Sequence, residues 1–246
     1  MRTIVMAMTA SLALSILWFN ATQAQVPKPP AAEIERALGT ANLEVRKSPN
    51  SSASYMYRAS VKLWAQMNPE ALDDINKALT FEPSSAEIYG ARGNVLFLLN
   101  KEEDALRDFN KAIELNPRIS ALYANRGVVF SKQKKFDKAM KDTNQAIALD
   151  PRVAVYYSNL GEIFYKLGRY REAVENLNKA ITRDQNLGEA YHWRGLSYDK
   201  SGMKELALKD KQRAKSLGFV PDQIYTYNPG TSDRSSVQEF RHTKKN

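Results

Sequence analysis

The chain has no cysteine, which removes disulfides, thiolate nucleophiles and thiolate metal ligands together. Stability must then come from packing alone. Histidine is almost as scarce: His192 and His242 are the two present, so neither a paired-histidine metal site nor a nucleophile–histidine triad is in evidence. The 11 glycines are scattered and form no phosphate-cradling loop, so no nucleotide site is indicated. After the first two dozen residues there is no long apolar run, and nothing later reads as a membrane span. No catalytic residue, metal ligand or cofactor is expected, and the chain does not read as an enzyme.

What is present is a chain of 246 residues with 43% hydrophobic content, enough for a packed core. Lys and Arg number 36 against 27 Asp and Glu, a formal charge of +9, which biases the surface toward anionic polymers or membranes without defining a function. Arg2 is followed by an apolar run from Ile4 to Phe19 and then by polar Asn20 to Gln25, the layout of a secretory leader. Residues 1–24 are therefore read as a signal peptide cleaved after Ala24, which makes the body exported, periplasmic or secreted. The alternative is an uncleaved anchor, although the run is shorter than the ~20 apolar residues a spanning helix needs.

Pro49, Pro83, Pro117 and Pro151 recur every 34 residues, with Gln185 at the next place. In that register the chain divides without gaps into 52–85, 86–119, 120–153, 154–187 and 188–221. Fourth positions are Tyr55, Tyr89, Tyr123, Tyr157 and Tyr191, and eighth positions are Ala59, Gly93, Gly127, Gly161 and Gly195. The twentieth and twenty-seventh positions are alanine in all five units. Closely packed antiparallel helices need such alternation, with large side chains filling holes and small ones where backbones approach. Turn signals such as Asn68-Pro69, Leu167-Gly168 and Ser201-Gly202 split each unit into two helices. Tyrosines recurring at the repeat period read as core fillers, not base-stacking platforms, so nucleic acid is not an expected partner.

These offsets resemble the tetratricopeptide-repeat (TPR) family, most closely at Leu160, Gly161, Phe164, Gly168, Tyr170, Ala173 and Ala180. The resemblance implies an all-α, right-handed superhelical solenoid of about five helix-turn-helix repeats, whose concave groove holds peptides or helices of other proteins. It places groove contacts at Met56, Leu63, Asn94, Phe97, Val128, Ser158, Glu162, Tyr165, His192 and Asp199, with Glu87, Val155 and Glu189 at equivalent positions. These positions hold acids and no Lys or Arg, which favours a peptide over a polyanion. The family's grip on a terminal carboxylate looks absent, since Met56, Gly90 and Ala124 stand at the fifth positions.

The flanks are less regular. Residues 25–51 read as a linker followed by a degenerate capping helix at Ala31 to Lys47, and residues 222–246 as a poorly ordered basic tail. Lys211 and Lys215 supply polar residues at the end of the array. The reading is therefore an exported scaffold or adaptor for a protein or peptide ligand. Its alternatives are an electrostatic binder of an anionic surface or polymer, reaching a membrane through the leader or tail, and a homo-oligomer assembled through the same surface.

One covariation goes beyond the family pattern. Arg58 accompanies Asp74, Arg92 Asp108, Arg126 Asp142 and Arg194 Asp210, always 16 residues apart, while the fourth unit has Leu160 and Asn176. The two positions change together, which predicts an ion pair between the two helices of a unit.

Overall fold

The computed structural model describes residues 29–219, all of whose regular structure is helical. The leader read at 1–24 and the tail read at 222–246 lie outside the described residues. The first described helix, α1 (Ala31–Lys47), precedes the repeats. Five helix pairs follow: α2 (Ser52–Trp64) with α3 (Asn68–Phe81), α4 (Ala86–Leu98) with α5 (Glu102–Leu115), α6 (Ser120–Lys132) with α7 (Phe136–Leu149), α8 (Ala154–Lys166) with α9 (Tyr170–Arg183), and α10 (Gly188–Lys200) with α11 (Lys204–Ser216). Each second helix packs on its own first helix, and each of the first four also packs on the first helix of the next unit, so the contacts run along the array. In the same way α1 packs on α2, in the place a preceding second helix would take.

The turn inside each unit is built alike five times. Gln66, Asn100, Lys134, Gly168 and Gly202 all stand at the fifteenth position with positive φ, between 57° and 80°. The next residue donates its N–H back to the carbonyl five earlier, as Lys135 does to Phe130 at 2.9 Å, closing the first helix in a left-handed cap. Glycine serves this conformation without strain in the last two units; Gln66 and Lys134 adopt it at some cost. Between units, the Asn116, Asp150 and Asp184 side chains accept N–H bonds from residues two further on at 2.9 to 3.1 Å. At Asp184 this local turn stands without the proline found elsewhere, which explains why Gln185 is tolerated.

The core follows the large-and-small pattern. All ten repeat alanines are buried. A Cβ added at Gly93 would lie 2.8 Å from the Phe109 ring, and one at Gly161 would lie 2.5 Å from Leu177 Cγ, so glycine is what lets these helix pairs close. The last unit ends differently. Where Ile75, Phe109, Thr143 and Leu177 are buried at the twenty-fourth position, Lys211 is exposed, and Leu208 stands 59% exposed with no further unit described against it.

A charged spine ties the units together. Arg58, Arg92, Arg126 and Arg194 each donate from Nε and Nη2 to both oxygens of Asp74, Asp108, Asp142 and Asp210, at 2.6 to 2.9 Å. The covariation read from the sequence is a bidentate ion pair. Each arginine also does what the sequence reading missed: Nη1 donates to an asparagine of the preceding element, Asn42, Asn76, Asn110 and Asn178, at 2.7 to 3.1 Å. The guanidinium further lies over the fourth-position tyrosine of its own unit, 5.3 to 5.7 Å from the ring centre. One planar side chain thus joins two helices of one unit to the unit before it, a geometry lysine could not supply.

Candidate functional site

The surface of interest is the row of first helices α2, α4, α6, α8 and α10. Successive members touch directly: Asn125 Nδ2 donates to Asn94 Oδ1 at 2.9 Å between α6 and α4, and Lys166 Nζ donates to Ser131 Oγ at 3.3 Å between α8 and α6. Of the ten groove residues read from the sequence, six keep part of their surface: Phe97, Val128, Glu162, Tyr165, His192 and Asp199. Met56, Leu63, Asn94 and Ser158 are buried, the first two inside the core of the first units and Asn94 against Asn125. Their surface is spent on neighbouring helices, so the part of this face that a ligand could touch shifts toward α6, α8 and α10.

Lysines also enter the face from flanking positions. Lys132 stands 5.0 Å over the Phe97 ring and 3.1 Å from Glu102, Lys166 lies 2.7 Å from Glu162, and Lys204 lies 2.8 Å from Asp199 with Lys211 at 3.7 Å. Reading the groove positions as acids without Lys or Arg was correct for those positions and incomplete for the surface, because side chains one position along the helix or on the next helix reach in. The bond from Lys204 holds the Asp199 carboxyl below the ordinary aspartate range.

The electrostatics are most distorted at Glu189. Burial, and then the nearby charge of Glu162, push its carboxyl up to about 7, against a bond from the Trp193 side chain and the charge of Lys166, which act the other way. Around it the rings of Tyr165 and Trp193 lie 5.3 Å apart, Tyr165 and Tyr170 5.7 Å, His192 and Trp193 5.2 Å, and His192 and Phe219 4.9 Å. Trp193 was not among the sequence candidates. The covalent pattern marks it merely as the residue after a groove position, and its inclusion depends on how α10 rotates against α8.

No group of three or more metal-ligating side chains occurs among the described residues, and no described helix is long and apolar enough to cross a membrane.

Comparison with known proteins meets this geometry at several points. The model of the tetratricopeptide repeat matches residues 86–119 and 120–153, and a second TPR repeat model matches 161–202. The chain carries tetratricopeptide repeats. No curated protein matches it. Among solved structures, a tetratricopeptide repeat protein from Parabacteroides merdae superposes with a TM-score of 0.67 at 22% identity, over 78% of this chain and 75% of that one. YrrB, described as a TPR protein with an unusual peptide-binding site, gives 0.53 at 20% identity, over 74% and 93%. MamA of Desulfovibrio magneticus gives 0.57 at 20% identity, over 68% and 94%. At these identities the TPR likeness is one of fold.

Proposed function

We propose that the protein is an exported, non-catalytic scaffold that holds a peptide or helix of a partner protein along the face made by its first helices. The observation that carries this reading is the row Phe97, Val128, Glu162, Tyr165 and His192 on successive first helices, apolar, aromatic and acidic side chains that each stay part-exposed. Repeat arrays expose such a face by construction, and extended or helical ligands are what it suits. YrrB is a TPR protein with a peptide-binding site, and that use of the fold is carried over here as a proposal. The anionic-surface alternative needs uncommitted cations on the face, whereas Lys132, Lys166 and Lys204 there spend their charge on Glu102, Glu162 and Asp199.

The test is cross-linking in the native cell followed by purification of the wild type and of Phe97→Glu/Tyr165→Glu, with circular dichroism confirming that both fold. A specific partner held by the wild type and lost by the variant is the expected result. Equal capture by both would remove the face from the proposal. Fractionation of the native cell tests export, and N-terminal sequencing separates a cleaved leader, with a mature chain beginning at Gln25, from a retained anchor.

A further inference from the structure

Aromatic rings in this protein are regularly covered by its own cations. Ten of them, among the described residues, have an Arg or Lys between 3.9 and 5.9 Å from the ring centre. Tyr165 and Trp193 are exceptions: they lie together on α8 and α10, half-buried, and among the described residues no cation lies over either. Beside them stand two carboxylates, Glu162 and Glu189, with one ammonium, Lys166, between them. Lys166 bonds Glu162 at 2.7 Å and donates to Ser131 at 3.3 Å, so among the described residues Glu189 forms no ion pair of its own and shares the Lys166 charge with Glu162. With Glu189 ionised, two carboxylates share one ammonium among the described residues of the recess. One turn before Glu162 on the same helix, the Ser158 hydroxyl is fully buried and has no hydrogen-bond partner among the described residues.

Uncovered aromatic faces and a carboxylate in excess point to the same ligand, because a cation gains from the ring quadrupoles and from the unbalanced acid at once. A long aliphatic stem would cover the rings while its head reaches the acids. We propose that this recess receives a lysine or arginine side chain presented by a segment of a partner protein, with its charge set against Glu162 and Glu189 and its stem against Tyr165 and Trp193. The inference rests on the proposed function and deepens it by naming the anchor residue of the ligand. It assigns the anchor to the α8–α10 end of the face, leaving Phe97 and Val128 to take apolar parts of the same segment.

The experiment selects a display library of random twelve-residue peptides on the full chain. Recovered peptides are synthesised, and binding is followed by fluorescence anisotropy on the wild type, on Glu162→Gln/Glu189→Gln and on Phe97→Glu/Tyr165→Glu. The glutamine substitutions keep shape and remove charge, and melting curves verify that the fold is intact. The recovered peptides should share a Lys or Arg. Replacing it by norleucine should weaken binding to the wild type about tenfold or more, which is about 1.4 kcal/mol, and should change little on the glutamine variant. Peptides that bind and lose affinity with Phe97→Glu/Tyr165→Glu, yet carry no basic residue or ignore the glutamine substitutions, would overturn the inference and leave the proposed function standing. Recovery of no peptide sensitive to Phe97→Glu/Tyr165→Glu would overturn both. Displacement of the selected peptide by a synthetic peptide of residues 231–246 would make the chain's own tail the occupant and overturn the assignment to a partner.

Discussion

Deleting one side of an Arg–Asp pair should cost far more than a surface ion pair, and the two sides should not cost the same. In the second unit the Arg92 side chain is 27% exposed and that of Asp108 is 8% exposed. Arg92→Ala removes two bonds to Asp108 at 2.7 and 2.8 Å and one to Asn76 at 3.1 Å, and it strands a carboxylate that water can barely reach. Breaking a buried pair costs roughly 3 to 5 kcal/mol. With the arginine partly in water, about 2 to 4 kcal/mol is expected for Arg92→Ala. Asp108→Ala leaves a longer side chain that can swing outward and rehydrate while keeping its bond to Asn76, so about 1 to 2 kcal/mol is expected. The double variant strands neither charge, and should fall short of the sum of the singles by about 1 to 3 kcal/mol. Urea unfolding followed by circular dichroism at several wavelengths measures all four proteins, with an unchanged m-value as the check that the same unit of structure is melting. Additive losses within about 0.5 kcal/mol, or a larger loss for Asp108→Ala than for Arg92→Ala, would refute the argument that burial of the aspartate sets the cost.

Two further predictions follow from single residues. Lys134 holds φ at 57° in a left-handed cap whose counterparts in the last two units are Gly168 and Gly202, so Lys134→Gly should raise stability by about 1 kcal/mol, read as an upward shift of the urea midpoint. A loss of stability would mean that the Lys134 side chain outweighs the backbone strain. For Glu189, the folded carboxyl is raised from 4.5 to about 7, facing Glu162 and Lys166 from α8 and Trp193 and His192 on its own helix. Between those values the folded chain holds a proton that the unfolded chain has released, so this group's contribution is most favourable below pH 4.5 and falls as pH rises to about 7. The unfolding free energy of Glu189→Gln, which cannot ionise, read from urea melts, should therefore gain on that of the wild type between pH 5 and pH 8 by about 2 kcal/mol. A gap that stays constant with pH would show that Glu189 ionises freely in the folded protein.

Much of the fold was legible because its determinants are periodic. The repeat alanines, the eighth-position glycines and the covarying Arg–Asp positions each name a contact, and the structure makes those contacts at the same offsets in unit after unit. The asparagine that completes each arginine's bonding recurs equally, at Asn42, Asn76, Asn110 and Asn178, and could have been found from that register. It was hidden because its partner lies in the following unit, and Asn144 recurs at the same place opposite Leu160, where no arginine calls for it. The candidate site was less legible, since accessibility depends on how closely neighbouring first helices approach. Met56, Leu63, Asn94 and Ser158 occupy the family's groove positions and are nevertheless sealed. Trp193 enters because α8 and α10 pack more extensively on each other than other successive first helices do. The period of a solenoid determines which residue stands where on its helix, and the spacing between helices determines which of those residues a ligand can meet.

The spine is broken in the fourth unit. Leu160 and Asn176 replace the ion pair in the fourth unit, and Asn176 turns inward to donate to the Glu172 carbonyl of its own helix at 2.9 Å. Without an arginine there, no guanidinium bridges α8 to α7. The three buried polar atoms that lack a partner among the described residues, Thr143 Oγ1, Ser158 Oγ and Asn159 Nδ2, all belong to these two helices. The apolar core thins at the same place: the clusters of the first three units and that of the last two are joined by a small group of buried residues, Ala124, Ala146 and Tyr156. In an array whose stability is a sum of units and their interfaces, losing a guanidinium bridge and burying unsatisfied polar atoms lowers what this interface contributes. The α8–α10 recess lies just beyond that seam, on the side where the units are pressed most closely together. The closer packing of α8 on α10 is what brings the Tyr165 and Trp193 rings to 5.3 Å of each other.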